Sequence, residues 1–170
     1  MTAAACAAAP PTGHRAGSGH VAVLPCQDVI GSDAAPPTGF TVIMGRVALP
    51  TGVPLQAVAS GESYPAARLF AKVGLIVRRG ASFDLLVAAG WQGRVTFGWG
   101  SPARRTDHLR VPGCRPTGPI DQPGYRPGDA WLVYAGGYWV PGPACVSVSV
   151  KAATSARSAR IGVGAPCPGR

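Results

Sequence analysis

The 170-residue chain has no Asn, only two Lys (Lys72, Lys151) and only seven acidic residues. It also lacks an apolar run of the roughly 18 residues that a membrane-crossing helix needs, so no transmembrane helix is expected. No Cys-x₂-Cys spacing occurs, and the His14-x₅-His20 spacing has no cysteine pair to go with it, which removes the common zinc patterns. There is no Gly-x-Ser-x-Gly nucleophile elbow and no Gly-rich phosphate loop ending in Lys-Ser/Thr. The acids Asp28, Asp33, Glu62, Asp84, Asp107, Asp121 and Asp129 show no marked pair. A glycosidase needs two carboxyls about 5–10 Å apart across one cleft. No metal or cofactor is expected from these patterns.

What is abundant is Arg, Gly, Pro, Ala and Val, and the net charge is +9. Part of the Arg excess fits the codon bias of a GC-rich bacterial genome. The remainder gives a basic surface, with Arg78, Arg79, Arg104 and Arg105 as the expected contributors. Such a surface attracts polyanions weakly and in a salt-sensitive way. No aromatic-interleaved basic motif occurs in the sequence, so no specific nucleic-acid partner is expected.

The five cysteines divide into one and four. Cys6 follows Ala3-Ala4-Ala5, small residues of the kind that close a bacterial lipobox. The start has no basic region and no room for an apolar one, so we expect the signal's apolar stretch upstream of Met1. Cys6 is then the expected lipid-attachment residue, anchoring the chain to the cell membrane. Residues 1–20 have no apolar period and read as a flexible tether. Residues 21–170 read as a single domain.

Cys26, Cys114, Cys145 and Cys167 bracket apolar segments and are expected to form two disulfides. Four cysteines allow three pairings, and the sequence does not choose among them. Cys114–Cys145 and Cys26–Cys167 are the expected pairs, tying the long Pro/Gly loop and joining the two ends of the domain.

Period-two alternation runs through the chain between Gly/Pro breaks. Strands are expected at 21–24, 40–49, 68–78, 83–87, 94–99, 109–111, 146–150 and 157–163. Residues 65–74 offer a competing helix start, with Ser63 as cap and Pro65 in the first turn. Alternation of Leu69, Ala71, Val73, Leu75 and Val77 favours the strand. Trp131–Tyr134 and Tyr138–Val140 read as a hairpin around Gly136-Gly137. Eight to ten short strands with frequent turns predict an all-β antiparallel sandwich, Ig-like in the loose sense.

Several of these pieces, in order, carry a resemblance. They are Lys72-Val73-Gly74-Leu75-Ile76-Val77-Arg78, Trp99-Gly100, and Leu109-Arg110-Val111 leading to Cys114. Then come Trp131, Tyr134-Ala135-Gly136-Gly137-Tyr138, Ala144-Cys145-Val146, and Arg160-Ile161-Gly162-Val163-Gly164 ending at Cys167. Over residues 40–167 the chain resembles a family of exported actinobacterial proteins, secreted or lipid-anchored, whose activity is uncharacterised. The resemblance implies export and β-structure and brings no activity with it.

Two functional classes remain. The aromatics gather in the second half of the chain, and exposed rings on a sheet stack on sugars. Trp131, Tyr138 and Trp139 are the candidate ligand-binding residues of a non-enzymatic envelope module, with an envelope polymer or a protein as partner. The alternative for these rings is a core role, as expected for Trp99, which continues the Val95/Phe97 face. The second class is an extracytoplasmic enzyme with a dispersed site. His14 and His20 fall in the tether, so such a site would use His108. Its neighbour Asp107 points to the opposite face if that segment is a strand. No catalytic residue is assigned.

Overall fold

The computed structural model describes residues 21–117 and 120–169. The expected tether, including Cys6, His14 and His20, lies outside them. Among the described residues the regular structure is strand, apart from two single 3₁₀ turns at Pro65–Ala67 and Ala89–Trp91. In chain order the strands begin with β1 (Ala22–Val23), β2 (Val29–Asp33), β3 (Thr41–Ile43), β4 (Val47–Leu49) and β5 (Val58–Ala59). The central set is β6 (Leu69–Lys72), β7 (Leu75–Arg78), β8 (Ser82–Val87), β9 (Thr96–Trp99) and β10 (His108–Pro112). The last four are β11 (Trp131–Tyr134), β12 (Gly136–Val140), β13 (Ala144–Ala152) and β14 (Ser155–Val163).

They form three sheets. Sheet I has the order β1-β10-β8-β13-β14, sheet II β2-β11-β7-β4-β3, and sheet III β5-β6-β12-β9. Every strand pair is antiparallel except β1 with β10. Inward residues of all three sheets meet in one core, with Phe83, Leu85 and Val148 from sheet I, Leu75 and Leu132 from sheet II, and Phe97 and Tyr138 from sheet III. The fold is an all-β, sandwich-like packing of sheet on sheet.

Sheets II and III are two halves of one bent ladder. Lys72 faces Gly137 in sheet III, and three residues further Leu75 faces Tyr134 in sheet II, so the register crosses the bend without a slip. The expected strand 68–78 therefore exists as alternation but bends at Val73-Gly74. At the bend Val73 N–H donates to the Gly136 carbonyl at 3.0 Å, and the Val73 carbonyl accepts the Trp99 indole N–H at 2.9 Å. Both polar groups of the bend residue are thus satisfied.

Two local expectations are corrected. Residues 40–49 are not one strand but a two-residue hairpin, with Met44 and Gly45 at φ 53° and 66° and Arg46 N–H donating to the Ile43 carbonyl. Positive φ at both central positions is the turn geometry whose twist suits a hairpin. Trp131–Tyr134 and Tyr138–Val140 are not hairpin partners, because β11 and β12 lie in different sheets and run on through Ala135. Gly136 and Gly137 are therefore strand residues rather than a turn.

The disulfides are Cys26–Cys114 and Cys145–Cys167, not Cys114–Cys145 and Cys26–Cys167. Parallel pairing of β1 with β10 carries Cys26 and Cys114 to the same end of sheet I. The β13/β14 hairpin sets Cys145 opposite Gly162, and the chain turns at Gly164 (φ 67°) to bring Cys167 back. Two disulfides fit an oxidising, extracytoplasmic compartment. No helix among the described residues is long and apolar enough to cross a membrane.

Phe97, Trp99 and Tyr138 form an aromatic knot in the core, Tyr138 standing edge-on to Phe97 at 6.1 Å and to Trp99 at 5.5 Å. The Tyr138 hydroxyl is buried and has no hydrogen-bond partner among the described residues. Burial pushes its pKa up, so it stays protonated. An unpaired buried hydroxyl costs about 1–3 kcal/mol. Tyr138→Phe keeps the ring and is expected to raise stability by about 1 kcal/mol. A urea titration showing Tyr138→Phe less stable than the parent would mean that the hydroxyl has a partner.

Candidate functional site

The three rings expected to bind a ligand do not share a surface. Tyr138 is 0 % exposed and belongs to the core, so it is unavailable for stacking. Trp131, 6 % exposed, lies on the outer face of sheet II in a small cluster with Ala48 and Ile76, and Phe40 and Val133 pack against that cluster. Arg78 sits 6.0 Å from its ring. Only Trp139 remains half-exposed, on the outer face of sheet III.

Strand parity builds this third surface. In β12, Tyr138 and Val140 point inward, so Gly137 and Trp139 point out. Register places Val58, Phe70, Trp139 and Thr96 in one row across the four strands. The next outward row is Lys72, Gly137 and Gly98. A Cβ on Gly137 would fall 2.7 Å from the Phe70 ring, so the ring lies across the glycine. Phe70 then meets Trp139 at 4.6 Å between centroids, tilted by 36°. Val58, 54 % exposed, flanks Phe70.

Lys72 of β6 is one cation of this face, and the other comes from the loop between β9 and β10. Thr106 returns to pair with Phe97, which folds the loop back along β9. The Arg104 carbonyl then lies over Gly98. Arg105 is carried over the indole of Trp139, 5.8 Å from its centroid. Glu62 forms an ion pair with Arg105 at 3.4 Å. The face thus combines two stacked rings with Lys72 and Arg105, and Glu62 is the acid seated on it.

Phe70 and Glu62 were not among the expected site residues. A signal for Phe70 was present, since alternation over 68–78 puts this ring on the charged face with Arg68 and Lys72. Nothing local marks Glu62, whose partner is far along the chain. Of the four expected basic contributors, Arg104 and Arg105 lie at sheet III. Arg78 and Arg79 serve sheet II, where Arg79 donates to the Asp129 carbonyl at 2.9 Å and to the Tyr125 hydroxyl at 3.2 Å.

His108 does meet a carboxylate, but it is Asp84 from the neighbouring strand and not Asp107. Its Nε2 lies 2.9 Å from Asp84 Oδ1, which also accepts Arg110 Nε–H at 3.2 Å. The nearby hydroxyl, Thr106 Oγ1, bonds the His108 backbone rather than its ring. This is an ion cluster on the outside of sheet I. Partial burial pushes the Asp84 carboxyl up, but hydrogen bonds and attraction from His108 and Arg110 outweigh it and hold it below the ordinary 3.8. The stabilisation is full above that value and is lost as pH falls through the lowered one. Asp84→Asn should flatten this part of the acid limb, by less than about 1 kcal/mol for so exposed a cluster. Parent and variant differing equally at pH 2 and pH 6 would exclude the linkage.

A cleft of about 440 Å³ lies between β1 and the loop after β9, with Val21, Pro25, Trp99, Pro102 and Leu109 among its apolar walls. Asp28 at its side already accepts the Ser101 N–H at 2.7 Å. Its size falls in the range of small-ligand pockets. Among the described residues, no cluster of three or more potential metal ligands is present. Comparison with known proteins finds no matching family model, no matching curated protein and no matching solved structure.

Proposed function

We propose that the chain is an exported, non-enzymatic module of the cell envelope, and that it binds an envelope polymer on the outer face of sheet III. The observation that carries this reading is the half-buried Phe70–Trp139 pair on the outer face of sheet III, with a guanidinium over the indole. Rings with one side on the protein and one side toward water are suited to stacking. Export is supported by the two disulfides and by the resemblance to exported actinobacterial proteins over 40–167. Lipid attachment at Cys6 belongs to the same proposal. It rests on the small residues before Cys6 and on the pairing of the other four cysteines with one another.

Two experiments test it. The parent protein should co-sediment with purified bacterial cell walls, and Trp139→Ala should weaken this by about tenfold while Trp139→Phe keeps most of it. Equal sedimentation of parent and Trp139→Ala would sink the binding face. In cells, Cys6→Ala should move the protein from the membrane fraction to the soluble one. An unchanged distribution would end the anchoring part of the proposal.

A further inference from the structure

We infer that the polymer recognised by sheet III is an acidic polysaccharide; the inference rests on the binding face just described. Glu62 provides the main observation. Its carboxylate sits 3.4 Å from Arg105 Nη1, while the same guanidinium lies 5.8 Å from the Trp139 centroid. The chain's own acid thus occupies the place where a ligand carboxylate would meet Arg105 beside an aromatic ring. An acidic sugar matches this arrangement, with its C–H face on Trp139 and Phe70 and its carboxylate on Arg105. Lys72, in the next outward row, supplies a second cation two residues, or about 7 Å, along the strand direction. A repeating acidic chain has further charges to meet it.

Charge alone and rings alone are each insufficient on this reading. The Arg105–Glu62 pair is about one-third exposed at Arg105, so it is weak and displaceable. Displacement exchanges one carboxylate for another, and the net gain comes from the sugar ring on the aromatics and from Lys72. Glu62 therefore acts as an internal competitor. The oxidising compartment implied by the disulfides favours a glycan over a nucleic acid as the polyanion encountered.

Affinity electrophoresis in gels cast with a polymer distinguishes the outcomes. Polygalacturonate should retard the protein. Dextran, with rings but no charge, and polyglutamate, with charge but no sugar ring, should do so at least about fivefold less. Trp139→Ala and Arg105→Gln should each weaken retardation about tenfold, with Trp139→Phe restoring part of it. Glu62→Gln should strengthen it about threefold. The effect should fade between about 50 and 200 mM salt. Equal retardation by polyglutamate, tighter binding of oligothymidylate, or no gain from Glu62→Gln would each overturn the inference. So would a Trp139-dependent dimer in sedimentation velocity, which would assign the face to a second copy. Trp139-dependent binding to cell walls without retardation by polygalacturonate would overturn this inference alone. Loss of both would remove the binding face as well.

Discussion

Replacing Cys26 and Cys114 together with alanine is expected to destabilise the fold by about 4.6 kcal/mol, against about 3.4 kcal/mol for Cys145 and Cys167. The difference follows from loop closure, because the first pair is 88 residues apart and the second 22. A longer closed loop removes more freedom from the unfolded chain. The two loops follow one another along the sequence without interlocking, so their contributions should add. In a domain of this size the larger loss corresponds to a fall in melting temperature of about 10–18 °C. Alanine is the right replacement at Cys114, which is buried, since serine would add an unpaired hydroxyl there. Denaturant titrations of both variants under non-reducing conditions measure the order. Peptide mapping that recovers Cys114 joined to Cys145 would refute the connectivity itself.

Gly136→Ala should cost about 3 kcal/mol or more, although it adds one methyl group. The added Cβ would fall 2.0 Å from the Gly98 carbonyl oxygen and 2.5 Å from Trp99 Cδ1. Neither can retreat cheaply. Gly98 is strand backbone paired to β12, and the Trp99 indole is held by its bond to the Val73 carbonyl at the bend. A Cβ at Gly142 meets nothing within 4 Å, so Gly142→Ala is the matched control and should stay within about 0.5 kcal/mol. If the two alanine variants unfold at the same denaturant concentration, Trp99 does not lie across Gly136. Near-ultraviolet circular dichroism gives a second readout, because a displaced Trp99 disturbs its edge-on contact with Tyr138.

The same two glycines show why part of the candidate site could not be read from the sequence. Gly136-Gly137 is a strong turn signal by local chemistry. In the fold each glycine instead makes room for a ring, Trp99 on the inner face and Phe70 on the outer. The rings come from strands far away in the chain, and no window around residue 136 contains them. Trp131, Tyr138 and Trp139 are close in sequence, yet they lie on three different surfaces. Tyr138 and Trp139 are neighbours in one strand and so face opposite ways. Trp131 is separated from both by the passage from sheet II to sheet III at Ala135.

Alternation by itself determined that this chain is all-β, and it determined which side of most strands turns inward. Val95, Phe97 and Trp99 are buried together, as are Val146, Val148 and Val150. Those outcomes are local, since a period of two assigns faces without reference to any partner. Which cysteines pair, where the ladder bends, and which ring shares a face with Arg105 were decided only by the tertiary structure. Each depends on sheet order and register between strands remote in sequence, as at Cys26 and Cys114, which are 88 residues apart. Burial drives every strand inward with much the same force whichever neighbour it finds, so the apolar pattern does not distinguish one strand order from another.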